Sequence, residues 1–244
     1  MIEQRLILQN VIFRVPIECG VLEPYKCRCN DGRYYYVKGQ YAGAQECIRE
    51  LVCAEIGHRF GLPVPEFGIV DTKDISNSNP EIGKSLQGMP AFGSLEVKGC
   101  TEYLCKENTS KTSKEIYSKI LFFDWWVQNP DRTKGHTNLL KTPDGRIWVI
   151  DHNMALCNGI GENIEAFKNE HALGDFGELF TFQPETYIHE MDEIMLHWDE
   201  IRANVPDEWI ERCSNNGILE DIETTLRRYR SRPGSFWERR QGQC

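Results

Sequence analysis

The sequence predicts an α+β protein of two lobes, a β-rich one followed by a mostly helical one. Three observations carry that reading. Over the first hundred residues, short strand-like runs alternate with turns around a single helical pattern. From about residue 112 apolar residues recur at helical spacing instead, at Ile116, Ile120, Phe123 and Val127. Within this second part, Asn138-Leu-Leu-Lys and Arg146-Ile-Trp-Val-Ile-Asp flank Thr-Pro-Asp-Gly, which reads as a hairpin. Its proline presets φ and its glycine accepts a positive φ. The lobes are set at residues 1–100 and 101–244, a length that suits one large domain or two lobes sharing a cleft.

The elements follow in order. VIFRV (11–15) and PYKCRC (24–29) read as strands around a loop, ECGVLEP (18–24). Asn30-Asp31-Gly32 then turns the chain into RYYYVKG (33–39), where alternation puts Tyr34, Tyr36 and Lys38 on one face. Cys47, Ile48, Leu51, Val52, Ala54, Glu55 and Ile56 trace a helix that runs to Phe60, and Gly61 with Pro63 and Pro65 stops it. PEFGIVDT (65–72) reads as a strand, residues 73–90 as a surface loop, and AFGSLEVKG (91–99) as a strand with a crossing segment. Asn129-Pro130 ends the helix of the second part, because a residue before proline avoids the α region. Three more helices are predicted near 184–202, 206–214 and 218–230.

Charge and composition exclude several functions. A net charge of -9 without any basic block argues against a surface that tracks nucleic-acid phosphates or rests on anionic membranes. MIEQRLILQN has no secretory pattern, and the longest apolar run, ILFFDWWV, is short and carries Asp124, so the expected location is the cytoplasm. Ten cysteines without a C-x-x-C pair are expected to be buried free thiols. Phe122, Phe123, Trp125 and Trp126 are expected in the core rather than on a stacking platform. His189 and His197 are expected on one surface helix, away from metal-ligand spacing. The arginine-rich LRRYRSRPGSFWERRQ (226–241) reads as a solvated helix end rather than a docking site for a partner or phosphorylated substrate.

The chemistry concentrates at 129–153. The midpoint of Asn138 and Asp151 falls between Asp144 and Gly145, so a hairpin closed there faces them within one residue of register. Asp131 stands seven residues before Asn138, in a loop able to fold back to the open end of that hairpin. Each of the three alone reads as a turn residue, a strand start or a cap. Together they offer hard oxygen donors of the kind Mg²⁺ takes alongside phosphate oxygens and water. The order D-x6-N-x12-D fits phosphoryl transfer, where one Asp accepts a proton and an Asn and second Asp hold metal.

NPDRTKGHTNLL followed by IDHNMAL resembles the HipA-like kinases and, more distantly, the phosphatidylinositol 3- and 4-kinases. DGRYYYVKG resembles the strand that carries the ATP lysine, and GLPVPEFGIV the segment after the first helix. The resemblance covers about residues 10–160 and implies a protein-kinase-like fold using ATP and Mg²⁺. It implies Asp131 as catalytic base, Asn138 and Asp151 as Mg²⁺ ligands, and Lys38 on the ATP phosphates. Of Glu46, Glu50 and Glu55, the resemblance implies Glu50 as the carboxylate for Lys38, since it stands eleven residues before Gly61, the spacing of the family's helix glutamate. Adenine contacts are expected around Phe92–Gly99.

The implied reaction is phosphoryl transfer to a protein serine or threonine, with a neutralising or regulatory protein partner possible in such a family. Two alternatives stand beside it. One is a nucleotide-binding pseudokinase acting as an interaction module, favoured by a phosphate loop, ECGVLEP, with one glycine and two acids. The other is a lipid or small-molecule kinase, although the chain lacks the cysteine cluster and basic face of type II lipid kinases. His152–Phe180 contains no Ser, Thr or Tyr, so phosphorylation of that stretch is not available as a switch.

Overall fold

The computed structural model describes residues 5–14, 24–73, 80–104, 111–157, 160–176 and 184–237. The strand-rich first part closes a five-stranded barrel in the order β1 (Leu6–Arg14), β2 (Tyr25–Cys29), β3 (Tyr34–Lys38), β5 (Ala91–Leu95) and β4 (Phe67–Asp71). Neighbours run antiparallel except β1 and β4, whose parallel pairing closes the ring. Alternation decides what fills it. Tyr25, Cys27 and Cys29 of β2 and Tyr35 and Val37 of β3 point inward with Leu8, Val70, Leu86 and Ala91. Tyr34, Tyr36 and Lys38 therefore occupy the opposite face of β3, as the sequence predicts.

The sequence misses one element here. Residues 73–90 contain a helix, α2 (Pro80–Leu86), rather than only a surface loop. Its last residue, Leu86, is buried in the barrel core and packs on Gly39, where an added Cβ would lie 2.8 Å from the Leu86 backbone. Leu86 and Met89, both buried, and the partly buried Ile82 hold this stretch down.

Helix α1 (Ala44–Arg59) is buried on most of its circumference, which marks an interior helix. Gly61, at φ 73, closes its C-terminus; the Gly61 N–H donates to His58 O and Leu62 N–H to Gly57 O. One side of α1 meets β4 and β5, the other meets α6 (Trp198–Ala203) and α7 (Asp207–Ile210). Polar ties bind the barrel and α1 to these helices. Asn204 donates to Glu55 at 2.8 Å, Trp209 Nε1 to the Pro90 carbonyl at 2.6 Å, and Arg5 makes a two-pronged pair with Glu208.

The second part is built on α3 (Lys111–Trp126). Phe122, Phe123, Trp125 and Trp126 are all fully buried, so the aromatic cluster is core. Phe122 stacks on Tyr187 with centroids 3.7 Å apart, and the two indole N–H groups donate to the carbonyls of Phe236 and Leu226. A small sheet of β6 (Thr101–Glu102), β7 (Leu139–Lys141) and β8 (Ile147–Val149) lies beside it.

The remaining helices are α4 (Ile164–Glu170), α5 (Pro184–Met195), α8 (Ile218–Leu226), α9 (Arg228–Ser231) and α10 (Pro233–Trp237). Helix α4 was not legible; Asn163 caps it by accepting from Ala166 N–H at 3.0 Å. The predicted helix 184–202 breaks at residues 196–197, so His189 and His197 do not share one helix. Within the described residues the arginine-rich segment keeps Arg227, Arg230 and Arg232 exposed, in line with a solvated helix end, but its aromatic residues anchor it. Tyr229 and Phe236 are buried, Arg228 lies over the Trp125 ring at 4.8 Å, and Arg230 pairs with Asp192. Two aromatic anchors pull it onto α3; residues 238–241 lie outside the described residues.

The described cysteines are free, and Cys27, Cys29, Cys47, Cys53 and Cys213 are buried. Among the described residues no helix is long and apolar enough to cross a membrane.

Trp209 joins α7 to the start of β5 and is fully buried. Trp209→Ala is expected to cost about 3–5 kcal/mol through cavity formation and a lost indole donor, read as a lower urea midpoint. An unchanged midpoint would contradict the packing described.

Candidate active site

The hairpin sets the frame. Leu139 pairs with Val149, Leu140 with Trp148 and Lys141 with Ile147, so the register faces Asn138 with Ile150 rather than with Asp151. The Ile150 N–H donates to Asn138 O at 3.1 Å. The offset from the predicted pairing is one residue, because the turn closes symmetrically about Asp144, with Thr142 N–H donating to Arg146 O. Both strand ends then leave the sheet in the left-handed region, Asn138 at φ 48 and Asp151 at φ 59. This region is strained for most residues and least so for Asn and Asp.

Two side-chain groups assemble there. Lys38 Nζ lies 2.5 Å from Glu50 Oε1 and 2.7 Å from Asp151 Oδ1. The other Glu50 oxygen accepts the His152 N–H at 2.9 Å. Glu46 and Glu55, the other carboxylates considered, lie near Arg49 and against Asn204 instead. The second group pairs Asn138 with Asp131, the amide nitrogen donating to Asp131 Oδ2 at 3.0 Å. A carboxylate can only accept here, which identifies Nδ2 as the facing atom and leaves the amide oxygen for another partner. The backbone bond between Ile150 and Asn138 joins the two groups.

Charge follows from burial and pairing. Burial opposes the Lys38 ammonium, yet the charges of Asp151 and Glu50 outweigh it and hold the lysine protonated. Burial also works against the charge of Asp151, but Lys38 overcomes it and keeps its pKa below the ordinary carboxylate value. For Glu50 burial wins over Lys38 and pushes the carboxyl up to about 7. Asp131, by contrast, is partly exposed, with His136 Nδ1 3.7 Å away.

Lys38, Glu50 and Asp151 line a cavity of about 280 Å³ with a largely apolar wall that includes Val64, Phe67, Leu140 and Val149, whereas Asp131 and Asn138 are not part of its lining. The stretch expected to meet adenine contributes Phe92, Ser94, Leu95 and Val97 to that wall. The expected phosphate loop cannot be placed, because residues 18–23 lie outside the described residues. No group of three His, Cys, Asp or Glu side chains suited to a metal occurs among the described residues. Asn138 and Asp151 offer oxygen donors of the kind Mg²⁺ takes alongside phosphate and water.

Sequence reading missed the support underneath. Arg132, 1% exposed, donates Nε to Asp124 Oδ2 at 2.6 Å and Nη1 to Asn138 O at 2.6 Å. Asn129 Nδ2 and His171 Nε2 also meet the Asp124 carboxylate, at 2.9 and 2.8 Å. The available signal was Asp124 itself, a charge inside an aromatic helical run.

The profile of the HipA-like kinase family matches residues 9–240. The chain belongs to the HipA-like kinase family. The fold of this HipA-like kinase is similar to the crystal structure of the Helicobacter pylori proinflammatory kinase CtkA. That likeness has a TM-score of 0.52 at 12% identity, over 90% of this chain and 92% of that one. Among curated proteins no sequence matches.

His152, one residue past Asp151, is buried and held neutral; burial and then the Arg132 charge lower its pKa from 6.5 to about 3. Between those values the unfolded chain takes up a proton that the folded chain refuses. Folding stability is therefore expected to fall as pH drops from about 6.5 towards 3. His152→Gln is expected to flatten that slope in urea titrations run across the window. An equally steep slope in the variant would contradict the assignment.

Proposed function

We propose that the chain is an ATP- and Mg²⁺-dependent phosphotransferase that moves the γ-phosphoryl group to a protein serine or threonine hydroxyl. The reading includes a cleft between two lobes, residues 1–100 and 101–244. One observation carries it: a single buried lysine, Lys38, is shared by carboxylates from α1 and from the end of the hairpin, at the polar end of an apolar cavity.

Each residue then has a task. Lys38 meets the phosphate charge, and Glu50 keeps its ammonium at the end of β3. Asp131, partly exposed, accepts the proton of the incoming hydroxyl while the Asn138 amide holds its carboxylate in place. Asn138 and Asp151 would hold Mg²⁺, which neutralises charge on the phosphates when bound. Apolar side chains such as Phe67, Phe92 and Val149 provide faces for a base and keep water from it.

A pseudokinase that binds nucleotide without turnover uses the same cavity. The feature that favours it is the phosphate loop composition at 18–24, one glycine and two acids.

Incubation with Mg²⁺, γ-labelled ATP and a mixture of candidate protein acceptors separates the two. Asp131→Asn is expected to lower transfer by about 10²–10⁴-fold while ATP still binds. Lys38→Met is expected to weaken ATP binding itself. Wild type that binds ATP yet transfers no label to any acceptor, itself included, would favour the pseudokinase.

A further inference from the structure

Asn138 and Asp151 both stand in the left-handed region, and such backbone persists only where its surroundings over-determine it. A single side chain meets both places. Arg132 Nη1 donates to the carbonyl of Asn138 at 2.6 Å and lies 3.3 Å from that of Ile150 and 3.2 Å from that of Thr137. The Asn138 carbonyl fixes the peptide that leaves Asn138, and the Ile150 carbonyl fixes the peptide that enters Asp151. One guanidinium thus restrains the backbone rotation at both residues.

Arg132 is itself fully engaged. Its Nε and Nη2 face Asp124, and Nη2 also meets His152 Nε2 at 3.3 Å. His171 takes up the remaining side of Asp124. Its Nδ1 accepts the Leu173 N–H at 3.0 Å, which puts the ring proton on Nε2, aimed at Asp124 Oδ2. The same segment is stitched to the loop by Ala172 N–H on Arg132 O and by a β-bridge between Thr133 and His171. A loop arginine that some kinases keep for a phosphorylated residue is here spent on a built-in carboxylate.

We propose that Arg132, held by Asp124 and His171, is a positioning residue that sets Asn138 and Asp151 for metal binding. It also orders the 171–173 segment without phosphorylation. The proposal rests on the reading of Asn138 and Asp151 as Mg²⁺ ligands. Loss of the clamp frees both ligand-bearing peptides to relax from the left-handed region. The metal-dependent part of nucleotide binding falls, while contacts of the base with the apolar wall persist.

The test uses the full chain and the imido analogue of ATP, titrated calorimetrically with Mg²⁺ and with chelator, so that each variant yields a metal increment in affinity. Wild type is expected to show an increment that Asp151→Asn abolishes. Arg132→Lys is expected to lose at least tenfold of that increment with metal-free affinity within about twofold of wild type. Asp124→Asn, equal in size to the native residue, is the second variant should Arg132→Lys lack a cooperative melt, and His171→Gln, which retains a donor, is expected to recover most of the increment lost in His171→Ala. A purely structural role would weaken metal-free binding and the metal increment together, and that result overturns the proposal. Retention of the full increment in Arg132→Lys and Asp124→Asn overturns it too, leaving the ligand reading intact. Absence of any increment in wild type overturns the ligand reading and the proposal with it.

Discussion

The Arg132–Asp124 pair is a full positive and a full negative charge with no exposure to water. Desolvating each ion costs several kcal/mol, and such a pair survives only when every remaining donor and acceptor is satisfied. Asp124 takes Arg132, Asn129 and His171, and Arg132 adds the carbonyls of Asn138 and Ile150. The carboxylate is held well below the ordinary range; burial opposes this, and the charges and bonds of Arg132 and His171 prevail. The energetic penalty for losing either partner ties the aromatic helix α3 to the hairpin. The positions of the residues at the hairpin's open end follow from that tie.

A second constraint links the barrel to this frame. Lys38 at the end of β3, Glu50 on α1 and Asp151 after β8 meet at one nitrogen. Glu50 also accepts the backbone N–H of His152, so α1 is tied to the hairpin directly as well as through the lysine. The packing of α1 between the barrel strands and helices α6 and α7 keeps this meeting point in place. On the proposed reading, phosphate and metal draw Lys38 and Asp151 apart without disturbing that packing. The electrostatic work of binding would then fall on two side chains.

Local pattern made much of this legible, and long-range pairing did not. Alternation in RYYYVKG gave the facing of Lys38, because one face of β3 fills a barrel. The Pro-Asp-Gly turn gave the hairpin to within one residue of register, the limit set by turn composition, which does not specify which pair closes it. The family resemblance, through the spacing of its helix glutamate from Gly61, pointed to Glu50, the helix carboxylate that lies beside Lys38. Helix α2 escaped because its burial depends on Leu86 meeting Gly39, forty-odd residues away in sequence from the start of α2. The arginine-rich segment was legible as exposed charge but not as anchored, because its charges outnumber Tyr229 and Phe236, the two residues that decide its packing. His171 carried no signal at all; its partner Asp124 is 47 residues away.

On the proposed reading Asn138 and Asp151 form one metal-bearing edge of a nucleotide cleft. Anomalous diffraction from crystals grown with Mn²⁺ and the imido analogue of ATP tests it most directly. The expected result is an anomalous peak at ordinary metal–oxygen distance from Asn138 Oδ1 and an Asp151 carboxylate oxygen, with Lys38 against the nucleotide phosphates. A bound nucleotide whose metal peak lies away from both side chains would contradict it.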